Sequence, residues 1–170
     1  MRTRQSGFTI IELIVVIALL GILSAVALPR FINVTDEAHD AAVEGAGAGF
    51  ATGLALLKAQ VVANGDLGGI DIDNVSGYGD ETLDVNTNGY PVSTTGDNGT
   101  NPAATADCVN VWTALFDTNG PSVIASGGAA SDFSANWSGG VCTYTYSNQG
   151  SGTREIAYTA STGAASVTVN

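Results

Sequence analysis

One segment limits the folds open to this chain more than any other, the apolar run from Phe8 to Leu28. Its 21 residues make a helix of about 31 Å at 1.5 Å per residue, close to the roughly 30 Å hydrocarbon core of a bilayer. Arg2 and Arg4 precede the run and place the short N-terminal end in the cytoplasm, with the remainder outside the membrane. Glu12 interrupts this simple picture. It is the fifth residue of the run, and a carboxylate at mid-bilayer costs roughly 2.5–3.5 kcal/mol even on the lenient insertion scale. Three readings compete: a plain signal anchor, a secretory signal cut after Ala25-Val26-Ala27, and a cut between Gly7 and Phe8. An ordinary signal peptide or plain anchor has no use for an acid at that depth, so Glu12 favours the third.

The residues around the cut, Gly7-Phe8-Thr9-Ile10-Ile11-Glu12-Leu13, resemble the processing motif of type IV prepilins, the subunits of retractable bacterial pili. The resemblance implies that residues 1–7 are a leader, removed after Gly7 by a membrane peptidase that also N-methylates Phe8. It further implies that Glu12 pairs with the N-terminal amine of a neighbouring subunit during assembly, which would explain the buried charge. The stretches "LPRFINVTDEAHDAAVEG", "LLKAQVVANG" and "NGYPV" are similar to the mannose-sensitive haemagglutinin (MSHA) branch of major pilins, whereas the last 80 residues carry little likeness. Loss of Arg2 and Arg4 with the leader would leave three bases against 16 acids, a net charge of −13 before the new amine is counted.

Residues 8–29 are expected to form the membrane anchor and filament core, and 30–63 the amphipathic second half of one long, bent helix. Gly21 loosens this helix by about 1 kcal/mol relative to Ala, and Pro29 lacks an N–H and disfavours helical angles at Leu28. The resemblance implies local melting between Gly21 and Pro29 inside a filament; a tolerated kink is the simpler alternative. Thr35 can cap the second half, with Asp36 and Glu37 in its first turn. Val43, Gly47, Phe50, Leu54, Leu57 and Val61 recur at three- and four-residue steps and define one apolar face. Gly45, Gly49 and Gly53 form a small-residue ridge, expected to pack closely on a sheet or a neighbouring subunit. Asn64-Gly65 ends the helix.

From residue 64 onward the chain reads as a globular head. Segment 66–87 reads as a loop, and strands are expected at Tyr90–Thr94, Cys108–Leu115, Val123–Ala125, Val141–Tyr146, Glu155–Thr159 and Ser166–Val169. One long helix followed by strands argues for an α+β fold with an antiparallel sheet packed on the helix, which is what the type IV pilin resemblance implies. Trp112, Phe116, Phe133 and Trp137 are expected core or rim aromatics, with a sugar-binding platform as the sharper alternative. Outside the cytoplasm, Cys108 and Cys142 read as a disulfide, and the resemblance implies such a staple bounding a variable surface segment.

Other chemistry finds little footing. Asp84, Asn86 and Asn88, followed by Gly89, match the first half of a calcium loop, but Thr95 stands where the distal Glu belongs and Asn88-Gly89 is a turn signal in its own right. The turn is favoured and calcium is kept as a candidate; no other cofactor is expected. His39 is the one histidine, expected to face solvent beside Asp40, so no Ser-His-Asp site can be assembled and no enzyme is expected. Four sequons, at Asn33, Asn74, Asn98 and Asn136, read as chance in an Asn/Thr-rich chain. The chain beyond residue 62 holds 11 acids against Arg154, which repels nucleic acid and anionic lipid.

The expectation is a major structural subunit of a type IVa pilus, in the inner membrane before assembly and extracellular afterwards. The resemblance implies as partners copies of the chain itself, a prepilin peptidase, an inner-membrane platform protein, assembly and retraction ATPases, and surface or host ligands. It also implies attachment, biofilm formation and motility. A type II secretion pseudopilin and a membrane-tethered module are the alternatives.

Overall fold

The computed structural model describes residues 7–66, 69, 71–96, 99–128, 131–149 and 152–170. Arg2, Arg4 and Asn98 lie outside the described residues. The chain divides into a unit ending at Ala38 and a second unit from His39 to Asn170. One helix, α1, spans Ile10–Asn64. It continues through Gly21 and Pro29, and Leu28 is helical despite the proline that follows it. The cost is the hydrogen bond that proline cannot give to the carbonyl four residues back. Thr35 therefore lies inside the helix rather than at its cap.

In the second unit the expected face of α1 is the buried one. Val43, Phe50, Leu57 and Val61 have no exposed surface, and Leu54 is buried beside them. Each such side chain contributes roughly 1.5–3 kcal/mol on leaving water. After α1 come β1 (Asp84–Val85) and β2 (Pro91–Ser93), an antiparallel pair closed by a turn in which the Gly89 amide donates to the Asn86 carbonyl at 2.8 Å. Gly89 has φ +77°, a conformation that glycine adopts without steric cost.

The segment Cys108–Leu115, expected as a strand, is helical. It lies inside α2, Thr105–Phe116, followed by a short 3-10 turn at Asp117–Asn119. Cys108, Val111 and Trp112 are buried at helical spacing. The Asp107 carboxylate accepts the amides of Ala103 and Ala104 at 3.0 and 2.9 Å and so closes the N-terminus of the helix, where Ala104 offers no polar side chain.

The main sheet has the order β3 (Val123–Ala125), β4 (Phe133–Ser138), β5 (Val141–Tyr146), β6 (Arg154–Thr159), β7 (Ala164–Val169). It is antiparallel from β4 to β7, but β3 runs parallel to β4, so the sheet is mixed rather than purely antiparallel. Strand β3 is only three residues long, about 10 Å, so a short connection suffices to return the chain to its start. Strand β4 was not expected, although Phe133, Ala135 and Trp137 alternate along it.

One side of the sheet buries Phe133, Ala135, Cys142, Tyr144, Ile156 and Tyr158 against α1 and α2. The Phe50 ring lies 5.6, 5.4 and 5.3 Å from those of Trp112, Tyr144 and Tyr158. Tilted or edge contacts of this kind add about 0.5–1.5 kcal/mol each beyond area. Trp137 sits at the rim, its indole N–H donating to the Pro102 carbonyl at 2.7 Å. The other side of the sheet carries Ser134 and Asn136 from β4, Thr143 and Thr145 from β5, Glu155 and Ala157 from β6, and Ser166 and Thr168 from β7. Cys108 and Cys142 are disulfide-bonded, with Cα atoms 5.5 Å apart, which joins α2 to β5.

Candidate assembly surface

Soluble proteins bury the apolar face of a helix. The N-terminal unit does the opposite. Phe8 is 81% exposed, and Leu13, Ile17, Leu20 and Leu23 are all more than half exposed. The span Ile10–Ala27 is long and apolar enough to cross a membrane, and none of it is buried. A contiguous apolar surface of this extent marks a membrane or protein contact. Gly21 lies on the span, and among the described residues nothing packs where its Cβ would be.

Glu12 sits within this surface, and local hydrogen bonds fix its carboxylate. Thr9 lies just before the first helical residue and Glu12 is three residues on, the spacing of a capping box. The Thr9 amide and hydroxyl donate to Glu12 Oε2 at 2.9 and 2.7 Å, and the Glu12 amide donates to Thr9 Oγ1 at 3.3 Å. The Thr9-x-x-Glu12 spacing was legible in the sequence, yet Glu12 had been read there only as half of a pair with another subunit. The folded chain supplies partners of its own, one residue from Phe8.

In the second unit α1 also has an unusual outer face. Ala41, Gly45, Ala48, Ala51, Ala55 and Ala59 are exposed, joined by Leu56 and Val62 at 61% and 52%. An ordinary solvent-facing helix carries charges there. The glycine ridge is not a single contact. Cβ atoms at Gly49 and Gly53 would press on Phe116 and Leu115 of α2, whereas nothing lies near Gly45. The partner is α2 rather than the sheet.

The candidate chemical residues have structural uses. Both Asp84 oxygens accept amides, from Asn74 at 3.0 Å and Gly96 at 2.8 Å. Asn86 Oδ1 accepts the amides of Asn88 and Tyr90, and its Nδ2 donates to the Thr100 and Ala160 carbonyls. The Asn88 side-chain amide donates to Ser161. These bonds build a turn, and among the described residues no group of three or more His, Cys, Asp or Glu is placed to hold a metal ion.

His39 is half-buried rather than solvent-facing. Its Nδ1 lies 3.1 Å from the Tyr146 hydroxyl and its Nε2 lies 3.2 Å from Asn148 Nδ2. Next to it, Asp40 pairs with Arg154 at 2.6 Å, with Arg154 only 3% exposed. Arg154 also donates to the carbonyls of Asn148 and Gln149. This buried cation was not anticipated. Its signal was its isolation, a lone base among 11 acids after residue 62.

An exposed apolar helix that begins with an acid-bearing cap and leads into an α+β head is a pilin-like arrangement. The profile of the prokaryotic N-terminal methylation motif matches residues 2–28. The chain is similar to the type IV narrow pilus major component PilA5 of Thermus thermophilus, 44% identical over 34% of this chain and 49% of that protein. It is also similar to the type IV major fimbrial protein FimA of Dichelobacter nodosus, 39% identical over 61% of this chain and 60% of that protein. The type IV major pilin protein PilE1 of Neisseria gonorrhoeae is 58% identical over 23% of this chain and 24% of that protein. The chain spans about half the length of the first curated relatives it matches. No solved structure matches it.

Proposed function

We propose that the chain is the major structural subunit of a type IV pilus and polymerises through its N-terminal helix. The observation that carries this reading is the bare apolar surface from Phe8 to Val26, in contrast to the second unit, which packs its buried apolar residues in two cores. A membrane covers that surface before assembly, and copies of the same helix cover it afterwards. In this account a peptidase cuts between Gly7 and Phe8 and methylates the new amine. The amine then meets Glu12 of a neighbouring copy and sets the register. Gly21 and Pro29 mark where the helix yields when the fibre is drawn out. A platform protein and ATPases drive assembly and retraction, and the exported acidic heads serve surface attachment, biofilm formation and motility, as in the MSHA-type pilins that the short sequence patches resemble.

Glu12→Ala tests the register step. Removing one member of a buried pair costs about 3–5 kcal/mol, so sheared fibres should fall by about a hundredfold or more while subunit remains in the membrane. Fibres formed at parental yield with parental stagger would refute the role given to Glu12.

A further inference from the structure

Lys58 is the only lysine in the chain. It is half-buried and lines a cleft of about 350 Å³ together with Ala51, Leu54 and Ala55 of α1, Tyr90, and Ala165 of β7. Its Nζ donates to the Tyr90 hydroxyl at 2.8 Å and lies 4.1 Å from the centre of the Tyr90 ring. The ring lies over Gly163, where any Cβ would collide with it. Among the described residues no carboxylate pairs with Lys58, whereas the buried Arg154 is paired with Asp40. An ammonium has three N–H donors. Tyr90 takes one, and among the described residues the other two have no acceptor.

We propose that this cleft receives an Asp or Glu side chain of a neighbouring copy in the same fibre. The proposal rests on the pilus-subunit reading above. Charge argues for the occupant. The chain carries 16 acids, so copies brought together repel one another unless opposite charges meet where they touch. Arg154 is only 3% exposed and already paired, which leaves Lys58 as the described cation open to such a meeting. Every copy brings both the lysine and the acids, so one head-to-tail contact repeats along a fibre without closing.

The surroundings argue against a small anion from solution. Leu56 and Val62, 61% and 52% exposed on the same helix, would stay bare around an ion, whereas a second copy covers them along with the lysine. A half-exposed ion pair adds little strength of its own. Its effect is to fix how neighbouring heads face one another, because the wrong register sets like charges together.

As the sole lysine, Lys58 lets crosslinking read the contact directly. Sheared fibres are treated with a water-soluble carbodiimide, which joins an ammonium to a touching carboxylate as an amide with loss of water. The products are separated on denaturing gels and digested for mass spectrometry. Parent fibres should give covalent dimers and longer ladders that contain Lys58 joined to an Asp or Glu. Lys58→Arg fibres should form at parental yield and lose these Lys58 links. Lys58→Glu, which sets like charges together, should give about tenfold fewer fibres. Lys58 linked only within its own chain, Lys58 left unlinked, or Lys58→Glu fibres at parental yield would overturn the contact. An unlinked Lys58 that added acetate shields from an acylating reagent would overturn it in favour of a small anion. Absence of parent fibres would instead refute the subunit reading, and the contact with it.

Discussion

Thr9 and Glu12 hold the chemistry of the N-terminus in three hydrogen bonds. Under the proposed function, those bonds would stand in for water around the carboxylate inside a bilayer, and a neighbour's amine would replace them on assembly. Thr9→Val removes the hydroxyl and keeps the amide. The loss of such a cap costs about 0.5–2 kcal/mol, so steady-state subunit in membranes should drop several-fold on immunoblots, with stagger unchanged in the fibres that form. An unaltered membrane level would show that the cap is idle. Asp132 is the matching case in the head. It accepts the Ser122 hydroxyl at 2.7 Å and the Ser122 amide at 2.8 Å, and these bonds hold its carboxyl below the ordinary value of 3.8. Its contribution to stability is therefore complete above that value and is lost as pH falls through the lowered folded value. Asp132→Asn should flatten the decline of melting temperature below about pH 4, and an unchanged acid limb would contradict this. At this scale the sequence named Glu12 and the cysteines because their context is local, a motif and a pair. The settings of His39 and Arg154 were hidden because their partners, Tyr146 and Asp40, lie 107 and 114 residues away.

Local periodicity made α1 legible: six apolar positions at helical steps were read as one face, and the structure buries them. The same signal was present in α2 and was overridden. Valine, tryptophan and threonine gave Cys108–Leu115 the look of a strand, yet Cys108, Val111, Trp112 and Leu115 follow the helical spacing. Propensity lost to packing there, because Trp112 fills the space among Phe50, Phe133 and Tyr144. Strand β4 was missed because its outward residues are Ser134, Asn136 and Ser138, which resemble a polar loop. The disulfide holds these two elements in place, since it encloses α2, β3 and β4 over a separation of 34 residues. Reduction should lower the stability of the full chain by about 3–4 kcal/mol in the chain-entropy model, measured by denaturant unfolding with and without reductant. A shift below about 1 kcal/mol would mean that the α2–sheet packing alone fixes the head.

As a whole molecule, the chain joins two solutions to hydrophobic burial. The second unit buries its apolar residues in two cores among α1, α2, the sheet and the β1–β2 hairpin. Among the described residues, the N-terminal unit buries none of its apolar side chains internally. The class of fold followed from length, order and pattern: a helix too apolar for water, then strands. Mixed sheet direction and the outer hydroxyl face depend on register, which no single stretch encodes. The apolar surface of the first unit needs a bilayer or other protein to cover it, and in the function proposed above copies of the chain do so after assembly. A cryo-electron microscopy reconstruction of sheared fibres tests this most directly. The account predicts residues 8–27 packed along the fibre axis against the same segment of neighbouring copies, with each Glu12 carboxylate within hydrogen-bonding distance of another copy's N-terminal amine. Fibres with that segment on their surface, or chains that begin after Ala27, would contradict it.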